Sequence, residues 1–433
     1  MAREQFGSRL GSIFAMVGVA VGLGNVWRFP YLVGRFGGAA FVLFYVLLVV
    51  VVGVPALAAE WTLGRQTRRG TVGAFALGGF PFGRRVGWFF FAVVTAANAY
   101  YTAVIGWVLY HAVGSLAHGL GFPWAQAAVL PPAEGFSLGS WAIQFVATAT
   151  VVAAAVWVLL AGVRRGIERA SRYITPALFI CLLAVIVRSL TLPGAGAGVH
   201  WYLLKLEPGA LTPTVMLTAL GQVVFSLALG GTFMVVYGSY LKGDERLLRS
   251  AAWTATGDTA AGLLAGLAIF PAVFALGLEP SQGPGLLFTT LPQVFDTIPL
   301  GGLFGFLFFG SLVGAAFLSS IAAFEVLVAG LTDNTTLSRP RAVGIMCAAV
   351  LLLSLPPTVN MRVFVPWDLT FGSGMQTLGA LLAAVTVGWC LMRADALRQL
   401  GSVWIYRWVR YVIPGAILLV GIWWVASELL HAG

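Results

Sequence analysis

Residues 18–25 read GVAVGLGN and residues 226–232 read SLALGGT, each run lying inside a longer apolar stretch. Glycine in a helix interior weakens it, and in lipid the backbone groups so freed need partners in protein or in an aqueous cavity. Taken singly, either run reads equally well as small residues packed against a neighbouring helix. Two stretches broken in the same way, about five stretches apart, point instead to a pair of discontinuous helices at matching positions of two halves. That is the arrangement from which transporter sites near the membrane midplane are built.

Working outward, the chain of 433 residues is 59% apolar, with 54 glycines besides, and only 9% charged. Soluble domains carry about 25% charged residues, and a chain this apolar is not disordered. Apolar runs bounded by charge, glycine and proline predict eleven spans near 11–34, 38–63, 86–115, 141–161, 172–191, 212–241, 250–276, 302–331, 342–358, 371–392 and 411–430. The expected fold class is therefore an all-α polytopic membrane protein of eleven transmembrane helices.

With the N-terminus inside, 20 of the 25 Lys and Arg residues fall on the cytoplasmic side, the exceptions being Arg28, Arg35, Arg188, Lys205 and Arg362. Retention of basic residues fixes orientation, so the expectation is a multi-pass protein of the cell membrane with a cytoplasmic N-terminus and an extracytoplasmic C-terminus. Trp124, Trp201, Trp367 and Trp404 near span ends fit interfacial anchors. The net charge of +10 sits at span ends rather than on a soluble module, which argues against a nucleic-acid partner. Cys181, Cys347 and Cys390 lie inside apolar runs and read as small buried hydrophobes. The opening MAREQFGSRLGSIF lacks the h-region and cleavage site of a signal peptide, so the first helix is expected to remain in the mature protein. His111, His118, His200 and His431 show no metal-ligand spacing, and no phosphate loop is present, so the chain is not expected to be an enzyme.

Ionisable and amide groups inside spans are costly and mark function by default. Span 1 holds Asn25 and Arg28, span 2 Glu60, span 7 Asp258, span 8 Glu325 and span 10 Asp368. Asn25, Asp258, Ser226 and Ser319 are oxygen donors, and one carboxylate among neutral donors suits a monovalent cation better than calcium. Glu60 reads equally well as a buried acid that satisfies loose backbone groups at the breaks.

These residues carry a resemblance. The stretch GSRLGSIFAMVGVAVGLGNVWRFPY with AEWTLGR at 59–65, GQVVFSLALGG in span 6, LFTTLPQVF at 287–295, SSIAAFEV in span 8 and DNTTLSR at 333–339 together resemble the neurotransmitter:sodium symporter family, particularly its eleven-span prokaryotic amino-acid transporters. The resemblance implies a single transmembrane domain over residues 1–433. It would consist of two inverted five-helix repeats, about 10–191 and 211–392, with broken helices 1 and 6 and a peripheral helix 11 at about 411–430. It implies sodium-coupled uptake of a neutral L-amino acid, with one or two sodium ions and no chloride. The implied partners are the amino-acid substrate and membrane lipid, with no obligate protein partner. A proton-coupled or uncoupled carrier of the same fold is the alternative. A channel or sensor would need a continuous polar pore or a signalling domain, and the chain shows neither.

Carried over by position, the first sodium site would use the Ala20 carbonyl with Asn25, Ser226 and Asp258. Of the anion ligands found in chloride-dependent members, Tyr45, Gln222 and Ser226 match, whereas the second serine position is Gly262. Asp258 would supply a fixed negative charge in place of chloride. The second sodium site would use the carbonyls of Gly18, Val21 and Ala315 with Ser319, but a further family ligand is replaced by Leu318. Either fewer groups hold that ion, or Ala316 and Ser320 take over in a shifted register, or the site is weak.

For the substrate, the amides of Leu23 and Gly24 and the Tyr101 hydroxyl would hold the carboxylate, and the carbonyls of Ala20, Phe225 and Ser226 the amino group. Gly22 stands where monoamine members carry an aspartate, which implies an amino acid rather than an amine. Ala97, Gly231 and Ala323, with Ala228, Gly230 and Ser319 nearby, would shape a roomy side-chain pocket for a bulky hydrophobic or aromatic substrate. Arg28 and Asp368 would gate the outside, Arg3 and Asp333 the inside with Phe6 and Tyr240 close by, and Phe225 would form the lid. Gly166 and Pro176 carry the spacing with which some prokaryotic members unwind span 5.

Overall fold

The computed structural model describes residues 5–124, 126–280 and 286–431, and the regular elements among them are all helical. Eight helices are long and apolar enough to cross a membrane: Ala39–Thr67, Gly83–Gly119, Leu138–Leu160, Val163–Leu190, Leu247–Ala275, Gly301–Asn334, Met361–Cys390 and Val403–Trp423. A ninth span is the pair Arg9–Ala20 and Gly24–Phe36, bent by 53° at its break. The two remaining expected spans are helical but short. Pro213–Ser226 has 14 residues before its break and Arg339–Leu353 has 15, about 21 and 22 Å of rise against a hydrocarbon layer of ~30 Å. Length and composition thus mark nine crossings among the described residues.

Both glycine runs break their helices. The first half-helix ends at Val21 in an extended conformation, and the chain resumes helix at Gly24 through a wide turn over Gly24–Arg28. The second runs to Ser226 and resumes at Phe233, with Ala228, Gly230 and Thr232 all at positive φ. Non-glycine residues rarely adopt that region, so the turn is strained and must be held by its surroundings. Glu60 supplies one hold: its Oε1 accepts the Gly230 amide at 2.7 Å.

The helix Gly301–Asn334 lies along Gly83–Gly119 at the centre, and its most apolar segment is 78% buried inside the protein. The corresponding segments of Leu138–Leu160 and Val163–Leu190 are only 39% and 33% buried, which places those helices on the rim. The first half-helix packs between Glu168–Leu190 and Leu247–Ala275. The Gly166 to Pro176 segment stays helical: a wide turn over Val163–Ile167 leads directly into Glu168–Leu190, with Pro176 inside it. Gly166 is needed there because a methyl group on it would lie 2.0 Å from the Val158 carbonyl oxygen.

Candidate functional site

The two breaks meet at one buried polar cluster. Asn25, just past the first break, caps it by accepting the Gly22 amide on Oδ1 at 3.0 Å. Its Nδ2 donates to Ser226 Oγ at 3.0 Å, to the Asp258 main-chain carbonyl at 2.9 Å and to Asp258 Oδ1 at 2.7 Å. The Ser226 hydroxyl donates to Asp258 Oδ2 at 2.8 Å, and Tyr45 adds a further hydrogen bond to that carboxylate. Gln222 donates to the Gly24 carbonyl at 2.9 Å. Asp258 is fully buried, yet its donors are all neutral. Burying a carboxylate without a counter-charge is expensive, and a cation among these oxygens removes that cost. At Gly262 an added methyl would meet the Phe29 ring at 3.3 Å, so a serine there would be tight against that ring.

Beside this cluster a cavity opens between the breaks. Its wall includes Ala20, Gly22, Gly24, Ala97, Tyr101, Phe225, Ala228, Ser319 and Ala323. Tyr101 accepts the Leu23 amide at 3.2 Å. Gly22 has no room for a side chain, since an added methyl would lie 2.6 Å from the Tyr101 hydroxyl and 2.8 Å from that of Ser319. Ser226 is committed to the polar cluster. Gly230 and Gly231 lie off the wall: the first packs on the Gln376 main chain, and the second lies under the Phe233 ring, which would be 1.9 Å from an added methyl. The ring of Phe233 thus fills the space that Gly231 leaves, while Phe324 is buried elsewhere.

Val19, Asn98, Tyr100, Phe233 and Gln376 also line the cavity and were not anticipated. For Asn98 a signal existed, a lone amide in the middle of an apolar run. Its Oδ1 accepts from Ser320 at 2.9 Å. Ser320 is thereby turned toward Asn98 and Thr102 of the central helix, so the shifted register does not bring its hydroxyl to Gly18.

Around Gly18 one apolar side chain and two hydroxyls meet. The Leu318 side chain comes within 2.8 Å of where a methyl on Gly18 would be, and the hydroxyls of Ser171 and Thr175 within 3.4 Å. Ser319 donates to the carbonyls of Val19 at 3.0 Å and Val21 at 3.2 Å, so its hydroxyl closes the break rather than facing Gly18. Ala315 is buried.

Toward one end, the Arg28 guanidinium stacks 4.4 Å above the Phe225 ring, and Asp368 is hydrogen-bonded by Tyr100 and faces the Arg28 charge. Toward the other, Phe6 is buried between Tyr237 and Tyr240, and its amide donates to the Tyr240 carbonyl at 3.2 Å. Asp333 accepts the Gly70 amide at 2.7 Å. Tyr240 donates to Glu325 at 2.5 Å, and Arg339 clasps the same carboxylate with contacts of 3.1 and 2.6 Å. Arg3, the other expected member of this gate, lies outside the described residues.

A helical membrane protein with two broken helices facing a buried polar cluster and a small-molecule cavity defines the class of secondary transporters. The sequence matches the sodium:neurotransmitter symporter family over residues 3–133 and 136–417. It is 34% identical to an uncharacterized sodium-dependent transporter of Bacillus subtilis, covering 96% of both chains. It is 31% identical to another from Haemophilus influenzae, covering 96% of this chain and 97% of that protein. The crystal structure of MhsT in complex with L-phenylalanine superposes with a TM-score of 0.84 at 35% identity, over 97% of this chain and 99% of that one. The chain belongs to the sodium:neurotransmitter symporter family, a family of membrane transporters and not of enzymes.

Proposed function

We propose that this protein takes up a neutral, bulky L-amino acid together with sodium by alternating access. One observation carries the reading: the buried Asp258 carboxylate, ringed by neutral donors, joins the two helix breaks beside the cavity. Sodium, as cargo, would be held by Asp258, Ser226, Asn25 and the Ala20 carbonyl, and the substrate carboxylate would meet the Leu23 and Gly24 amides and Tyr101. The half-helix that resumes at Gly24 presents its amide end, which favours an anion. Gly22 excludes a side chain carboxylate at the break, which favours amino acids over amines. The L-phenylalanine bound to MhsT supports an amino acid as the substrate class.

In this reading residues 10–191 and 211–392 form inverted repeats that rock about the breaks, with the N-terminus cytoplasmic. Arg28 with Asp368 closes the outside; Asp333, Tyr240 and Arg3 close the inside. Asp258 replaces chloride. Leu318 beside Gly18 favours coupling to a single sodium, and keeps open a carrier of the same fold with different coupling. Proteoliposomes decide the matter. They should concentrate labelled amino acid under an inward sodium gradient, and equal accumulation under a proton gradient without sodium would favour the alternative.

A further inference from the structure

One buried amide on the cavity wall has only half of its hydrogen bonds. Asn98 is 2% exposed and lines the cavity next to Ala97. Its Oδ1 accepts from the Ser320 hydroxyl at 2.9 Å and lies 3.4 Å from that of Thr102. The Thr102 hydroxyl itself donates to the Asn98 main-chain carbonyl at 2.6 Å, which leaves Ser320 to fix the amide's orientation. Nδ2, with two N–H donors, is buried and has no partner in the protein. Buried polar groups are nearly always bonded, and each exception calls for an explanation. A purely structural tie between the helices Gly83–Gly119 and Gly301–Asn334 accounts for Oδ1 but not for Nδ2. Asn98 lines the cavity, and a ligand there would supply the acceptor that the protein does not. Of the cavity's other lining side chains, Ala97, Ala323 and Phe233 carry no acceptor, and those of Tyr101, Ser319 and Gln376 do not come within hydrogen-bond distance of Nδ2.

We infer that Asn98 is a specificity-determining residue that donates an N–H to an acceptor atom in the substrate's side chain. The site then prefers neutral amino acids whose side chains end in such an acceptor over apolar ones of equal length. The inference rests on the amino-acid reading above and sharpens it. Its physical basis is the penalty for leaving a site's buried polar group unpaired, which makes such sites reject analogues that lack the partner.

The test is competition binding to the purified full-length protein in sodium, with norleucine, glutamine and methionine sulfoxide, three side chains of similar length. Glutamine and methionine sulfoxide should each bind about tenfold or more tighter than norleucine. Asn98→Leu should bring these ratios close to one. A wild type that binds norleucine as well as the other two overturns the inference, as does a preference that survives in Asn98→Leu. Rejection of methionine sulfoxide, an acceptor without donors, would mean that Oδ1 faces the substrate and also overturns it. If Asn98→Leu does not fold, Asn98→Ala gives the same comparison, and a wild type without the preference overturns the inference by itself. If no amino acid binds with sodium present, the amino-acid reading fails and this inference falls with it. If amino acids bind without discrimination, only the role of Asn98 fails.

Discussion

Asn25 donates its side-chain amide to the Asp258 carboxylate at 2.7 Å, which ties the first broken helix to the unbroken helix Leu247–Ala275. The bond joins a residue freed by the break to the one buried carboxylate of the cluster. A cation bound by this carboxylate would compete with the Asn25 N–H for the same oxygen, so its binding would be coupled to the geometry of the break.

Removing the charge at this point should weaken the ion. Asp258→Asn keeps the shape but turns a charge-assisted contact into a neutral one, a difference of about 1.5 kcal/mol or more. The sodium concentration for half-maximal uptake should rise roughly tenfold. Wild-type uptake should be equal in chloride and gluconate, and Asp258→Asn with Gly262→Ser is the pair expected to introduce chloride dependence. A wild-type rate that collapses in gluconate would sink the fixed-charge account.

At Gly18 the Leu318 side chain stands where a hydroxyl could face the freed carbonyls. Leu318→Thr should tighten sodium binding, measured at fixed substrate, by about 1 kcal/mol, roughly fivefold. Ser320→Ala should leave sodium affinity unchanged, because its hydroxyl serves Asn98 and Thr102. The opposite pair of outcomes would restore the shifted register.

Pocket size should govern substrate choice. Phe233 fills the space beside Gly231, while Ala97 and Ala323 remain open on the wall. Each buried methylene contributes about 0.8 kcal/mol, so leucine-sized and larger side chains should outcompete glycine and alanine. Ala323→Phe should reverse that order in competition uptake. A wild type that prefers alanine to leucine would falsify the open-pocket account.

Glu60 should act through stability. It accepts the Gly230 amide inside the strained second break, and loss of that acceptor strands a buried donor at a cost of about 1–3 kcal/mol. Glu60→Ala should lower the thermal midpoint of the purified protein, and Glu60→Gln, which keeps an acceptor, should lower it less. Equal midpoints for wild type and Glu60→Ala would remove Glu60 from this role.

Much of the fold was legible in the sequence because apolar length, charge at span ends and clustered glycine are local properties. The breaks at GVAVGLGN and SLALGGT follow from glycine's weakness as a helix former wherever the chain is read. The short helices Pro213–Ser226 and Arg339–Leu353 show the limit: an apolar run states what is buried, not where hydrogen bonding stops. Asn25, Ser226 and Asp258 could be singled out as polar residues in apolar runs, because a polar group in a span must have a reason.

Partners across the chain were not legible. Asn98 is a lone amide in an apolar run, yet its half-satisfied state depends on Ser320, 222 positions away. Phe233 fills the gap at Gly231 only because the strained turn at Ala228, Gly230 and Thr232 brings its ring back over the break. Which segments are apolar enough to be buried, and where they must break, follow from local sequence, since burial and helix propensity act residue by residue. Tertiary structure alone decided which polar atoms are satisfied and which are left for a ligand, because hydrogen bonds require atoms within about 3 Å in defined directions, and distance in space is not encoded in spacing along the chain.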